Sequence, residues 1–139
     1  MSQRPDRDAP QAVVARSAFE KVEQVTSHHQ PYQARYASLA RRLPAMLQQN
    51  GLGQTLAFLY AKGNGLRFEK ADGLMLRHLS ELSDLIKDGD PAPPDPMRLV
   101  VQMTQDRYRA ASRKAAVAAV WLKRFSEGLI GAIDDPVDG

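Results

Sequence analysis

From Tyr108 to Leu129 a heptad-spaced stripe runs through the chain. Tyr108, Ala115, Leu122 and Leu129 recur every seven residues, with Ala111, Ala118 and Phe125 between them. On a helix of 3.6 residues per turn these positions share one face, so the segment is predicted to be a long amphipathic helix that buries that face against other helices. Opposite the stripe stand Arg109, Arg113, Lys123 and Arg124. At ~1.5 Å per residue they spread along about 22 Å of helix axis. Such a helix offers an apolar side to a core and cations to solvent, where phosphates are the natural counter-charge.

The remaining segments carry the same helical period. A first helix is predicted from Pro10 to about His28, with Val14, Ala18, Val22 and Val25 on one face. A second starts near Tyr32 and repeats Tyr36, Leu39, Leu43 and Leu47. Pro44 is expected to kink or restart it, and Asn50-Gly51 to cap and turn it. Gln54 to Lys62 reads as a compact helix closed by Gly63. Asp72 is the expected N-cap of a helix to about Lys87, burying Met75, Leu79, Leu82 and Ile86. Residues 88–96, DGDPAPPDP, predict an extended, solvated connector, followed by a helix or helix pair from about Met97 to Ile130.

No alternating strand pattern of useful length occurs. The expected fold class is all-α: one helical bundle of about five to six helices over residues 11–131, between a disordered tail (1–10) and an acidic tail (132–139). A chain of 139 residues can bury roughly 68 % of its unfolded surface, enough for a core without metal or disulfide staples. It has no cysteine, which excludes disulfides, thiol chemistry and cysteine-ligated metals. There is neither a signal-like apolar stretch nor a run of ~18 apolar residues, so the expectation is a soluble, cytoplasmic protein without a membrane partner.

The net charge of +3 hides a segregation. Residues 32–67 carry Arg35, Arg41, Arg42, Lys62 and Arg67 with no carboxylate. Residues 97–131 carry seven cations against Asp106 and Glu127, and residues 68–96 between them are net −4. Two basic segments divided by an acidic one point to a basic face.

Concentrated chemistry is missing. There is no GxSxG, no HExxH and no phosphate-binding G-x-x-x-x-G-K-[ST] loop. The glycines of NGLGQT and KGNGLR read as helix caps. Adjacent His28 and His29 point about 100° apart on a helix and cannot clamp one metal, and His78 is the only other histidine. Glu81 and Asp84 read as an exposed charged face. No catalytic residue, metal or cofactor is therefore expected. Residues 43–62 mimic a helix-turn-helix in spacing, but QTLAFLYAK offers only Gln54 and Thr55 before turning apolar, where base readout needs several polar side chains. Three functions stay in play on these grounds: an RNA-binding scaffold, a DNA-binding regulator, and an adaptor for an acidic protein.

Two strings add a resemblance. LPAMLQQNGLGQTLAFLYAKG, residues 43–63, has a Leu-Pro pair, an Asn-Gly-Leu turn and a Leu-x-Phe-Leu helix ending in Lys-Gly. YRAASRKAAVAAVWLKRFSEGLI, residues 108–130, opens on Tyr-Arg and carries a Trp-Leu-Lys-Arg-Phe block. Together, over 44 of the 139 residues, they resemble the two signature segments of the small-subunit family of the type III-B CRISPR effector, the Cmr complex. No family pattern is recognised in residues 1–12, the acidic helix at 70–88 or the proline connector. The type III-A small subunit is a related alternative. The resemblance implies a non-catalytic α-helical subunit that stacks with copies of itself into a short filament. It also implies partnership with the other effector subunits and backbone contact with guide and target RNA. On the matching segments the implied RNA-contacting residues are Lys62, Arg109, Lys123 and Arg124, and charge geometry adds Arg41, Arg42 and Arg113. Trp121 and Phe125 are read as packing residues.

Overall fold

The structure, a computed structural model, describes residues 10–131, so the expectations for both tails lie outside the described residues. Five helices follow in order: α1 (Pro10–Val25), α2 (Gln30–Gly63), α3 (Ala71–Leu82), α4 (Pro96–Gln102) and α5 (Gln105–Leu129). Among the described residues no strand occurs. The bundle is built around α2, which packs against α3 on one side and α5 on the other, while α1 lies on α5. Tyr36, Leu39, Leu43, Leu52, Leu56, Leu59, Met75, Leu76, Leu79 and Leu122 form its fully enclosed centre.

α1 stops three residues before the expected end at His28. Thr26 and Ser27 turn their hydroxyls back onto the carbonyls of Glu23 and Gln24, at 2.6 and 2.9 Å, and close the last turn locally. Pro31 then sits in the first turn of α2, where its missing N–H costs nothing.

The restart expected at Pro44 does not occur there. α2 keeps helical dihedrals through Pro44 and breaks at Gly51, whose φ of 85° and ψ of 169° suit glycine alone. The chain re-enters the helix at once, so the predicted turn is a one-residue break. Two contacts stabilise it: the Gly53 N–H donates to the Tyr108 hydroxyl at 2.8 Å, and the Thr55 hydroxyl donates to the Gly51 carbonyl at 2.8 Å. The second limb faces inward, with Leu52, Thr55, Leu56 and Leu59 buried. Its outward face offers only Gln54, Ala57, Ala61 and Lys62, few polar side chains for reading a groove. Asn64, left-handed at φ 58° and ψ 51°, ends α2.

α3 differs from its expected limits at both ends. Its N-cap is Lys70. Asp72, the predicted cap, lies 5 % exposed within the first turn and takes a two-pronged contact from Arg35 (Nε 3.2 Å, Nη2 2.7 Å). The helix ends at Leu82, because Asp84 adopts φ 64° and the Ser83 hydroxyl donates back to the Leu79 carbonyl at 2.8 Å. Leu85 and Ile86 stay buried without being helical. The acidic connector is largely solvated, as expected, and is pinned at both ends. Asp88 meets Lys21, and Asp95 caps α4 by accepting from the Met97 N–H at 2.9 Å. The last helical segment is a pair, split at Met103 and Thr104, with the Thr104 hydroxyl accepting from the Arg107 N–H at 3.2 Å.

Candidate nucleic-acid interface

α5 sets the geometry of the basic face. Its buried residues are Ala111, Ala115, Ala118, Ala119, Leu122 and Ser126. At about 100° per residue, Arg109, Arg113 and Arg124 cluster within roughly 60° on the opposite side, and all three are exposed. Arg109 lies 3.7 Å from Asp106, but both side chains are largely in solvent, at 59 % and 96 % exposure, so the pair holds the guanidinium only weakly. Lys123 departs from the expected rail: it is half-buried at the edge of the buried stripe, on the flank that faces α2. Two other α5 cations are turned to α3, where Lys114 pairs with the Asp84 carboxylate and Arg107 reaches its carbonyl at 3.5 Å.

The cations predicted on α2 divide between two flanks. Adjacent helical residues diverge by about 100°. Arg41 therefore shares the flank of Pro44 and Gln48, which face α5, while Arg42 shares the flank of Arg35 beside α3. α2 and α5 run antiparallel, since Tyr108 meets Gly53 and Val120 lies by Pro44. Continuing that register sets Arg41 at the level of Lys123 and Arg124. Lys62 stands apart. It extends in the last turn of α2, 5.8 Å above the Phe58 ring, on the side away from Tyr60 and Gly53, which face α4 and α5. The structure thus brings Arg41, Arg109, Arg113, Lys123 and Arg124 to one side and leaves Arg42 and Lys62 off it.

Between these cations lies a feature that sequence reading missed. Pro44, Leu47, Gln48, Gly51 and Leu52 of α2 and Tyr108, Ser112, Ala116 and Val120 of α5 line a largely apolar groove of about 380 Å³. The break at Gly51 and the small residues Ser112 and Ala116 open it. Its sequence signal was a glycine break opposite an alanine-rich helix, which only the antiparallel register makes meaningful. Val117 and Val120 are exposed on the cationic side of α5, at 38 % and 44 %.

Elsewhere the buried charges are partnered. Lys21, 5 % exposed, lies 3.3 Å from Glu81 and 2.9 Å from Asp88, and Arg77 binds Glu81 at 2.6 Å. Glu81 was expected on an exposed face with Asp84; it is instead nearly enclosed by cations from α1 and α3. The Lys21 hydrogen bond holds the Asp88 carboxyl below its usual range. His78 shares a 2.7 Å hydrogen bond with the Tyr36 hydroxyl. Burial above all, then nearby Lys21 and Arg77, pushes the His78 imidazole down to about 3, so it is neutral at pH 7. This network ties α1, α3 and the connector together. Among the described residues no group of three or more His, Asp or Glu side chains is placed to hold a metal ion, and no helix is long and apolar enough to cross a membrane. Trp121 and Phe125 stack at 5.4 Å, and Phe125 meets Phe19 edge-on at 5.3 Å, joining α5 to α1.

Comparison with known proteins identifies relatives of the whole chain. The family model described as CRISPR-associated protein (Cas_Cmr5) matches residues 11–129. The CRISPR system Cmr subunit Cmr5 of Thermus thermophilus is 30 % identical over 122 residues, covering 85 % of this chain and 93 % of that protein. The crystal structure of a CRISPR-associated Cmr5 family protein from Thermus thermophilus superposes with a TM-score of 0.68 at 26 % identity, over 88 % of this chain and 98 % of the other.

Proposed function

The chain belongs to the Cas_Cmr5 family of CRISPR-associated proteins, and on that footing we propose that it is a non-catalytic small subunit of an RNA-guided Cmr effector. In this reading it stacks with copies of itself beside the guide–target RNA, works with the larger effector subunits, and contacts the RNA backbone. The observation that carries the RNA contact is the one-sided grouping of Arg109, Arg113 and Arg124 on α5 with Lys123 and Arg41 at its edge. Arg42 and Lys62, on other flanks, would meet a different stretch of RNA or a neighbouring subunit. Phosphate contacts are independent of sequence, which suits a subunit that must accept whatever target the guide selects. The buried ion network supports a structural rather than chemical role, because each of its charges already has a partner.

Alanine at both Lys123 and Arg124 is expected to weaken RNA binding and to flatten its salt dependence. The slope of log K against log salt should fall by about 0.7 to 0.9 for each phosphate that is no longer neutralised. Titrations between ~50 and ~200 mM salt would measure this, and an unchanged slope would remove the two residues from the interface.

A further inference from the structure

We propose that the groove between the Gly51 break of α2 and the middle of α5 receives an unstacked base of the bound RNA strand. The inference rests on the RNA-contact reading above and adds a base site to the phosphate contacts. Its first support is Ser112, whose hydroxyl is enclosed and has no hydrogen-bond partner. Two other serines share that condition, but Ser80 and Ser126 lie in the closed core at 0 % and 1 % exposure, whereas Ser112 lines the groove. An enclosed hydroxyl without a partner carries an uncompensated desolvation cost. A base entering the groove would displace the side chains that cover this oxygen, and its polar edge would then relieve that cost.

The second support is shape and chemistry. At about 380 Å³ the groove is at the small end of ligand clefts, which span roughly 300–1,000 Å³. Its walls are Pro44, Leu47, Leu52 and Val120, with the Tyr108 ring beside them, a lining suited to the faces of a flat heterocycle. A serine hydroxyl both donates and accepts, so the site would hold any base without selecting one. Charge complementarity is the third support. On the α2–α5 register Arg41 and Lys123 stand toward one end of the groove, Arg109 toward the other, and Arg113 on the outer face of α5. A strand entering the groove with its base would therefore bring its flanking phosphates to cations.

The test compares the full chain binding a single-stranded oligouridine with its binding to a strand of equal length built of abasic sugar phosphates, followed by fluorescence anisotropy at ~50 mM salt. The two probes carry the same charge. Wild type should bind the base-bearing strand about tenfold more tightly, the order expected for one sheltered base. Ala116→Phe, which fills the groove from an exposed position, should bring the two affinities together while leaving that for the abasic strand unchanged. Ser112→Ala should remove part of the preference. Equal wild-type binding of both strands would overturn the base site and leave the phosphate contacts standing. A full preference retained in A116F would overturn it as well. Binding of neither strand would overturn the RNA-contact reading and the groove assignment together.

Discussion

Gly73→Ala is expected to destabilise the fold severely. The last turn of α2 and the first turn of α3 meet backbone to backbone at Gly63 and Gly73. A Cβ on Gly73 would be driven into the Arg67 carbonyl, and one on Gly63 would land on the Gly73 backbone. The obstructing atoms are main-chain atoms, so no rotamer change relieves the clash. α3 would have to lift away, and with it Met75, Leu76 and Leu79, all 0 % exposed. A loss of about 3 kcal/mol or more is expected, a large share of the roughly 5–15 kcal/mol that holds a domain folded. Gly128→Ala is the control. A Cβ there meets nothing, and its helical position should make alanine neutral or up to about 1 kcal/mol stabilising. Urea unfolding followed by circular dichroism measures both. A G73A midpoint equal to wild type would show that the first turn of α3 does not press on the Arg67 carbonyl as closely as described.

Acid should destabilise the protein well before its carboxylates titrate, because of His78. The imidazole is enclosed with the Tyr36 hydroxyl and faces Lys21 and Arg77, with Asp88 nearby. Its folded value of about 3 lies far below the ordinary 6.5. Between those values the unfolded chain binds a proton that the folded chain refuses, so stability rises with pH throughout the interval. The contribution of a neutral His78 is complete above about pH 6.5 and is lost as pH falls. The loss should amount to about 2 kcal/mol by pH 5, at 1.36 kcal/mol per unit. Asp88, also held low, adds its loss in the same direction but only in the ordinary carboxylate range, well below pH 5. Unfolding free energies at pH 7 and 5 for wild type and His78→Gln separate the two, since the variant should lose most of the slope. An equally steep slope in H78Q would assign the acid sensitivity elsewhere.

The helices were legible in the sequence wherever one residue type repeated on one face. The stripes of α1, of the first limb of α2 and of α5 as far as Phe125 appear in the structure as read, whereas Leu129, expected on the buried stripe, is 38 % exposed at the end of α5. The sequence resemblance and the fold agree on the family. What the sequence hid was decided by contacts distant along the chain. Pro44 was expected to kink or restart the helix because proline is costly within one, yet the only interruption of α2 is at Gly51, where a turn was expected. Not legible was that the chain re-enters the helix at once, with Tyr108 satisfying the Gly53 amide from 55 residues away. Asp72 looked like a cap because a local carboxylate usually is one, but Arg35 claims it across 37 residues. Ile86 was correctly expected to be buried and wrongly expected to be helical, since periodicity reports the buried face while Asp84 alone turns the backbone. The cationic face was half legible. Helical spacing found Arg109, Arg113 and Arg124, but only the antiparallel register of α2 and α5 sets Arg41 near Lys123, turns Arg42 and Lys62 away, and opens the groove.

Membership of an RNA-guided effector is tested most directly by purifying the tagged chain from its own cells, then sequencing the co-purified RNA and identifying the co-purified proteins. Short RNAs sharing one repeat-derived end, together with a set of larger subunits, are expected. Recovery of other intact cellular complexes from the same extract, with no such RNA on the tagged chain, would contradict the assignment.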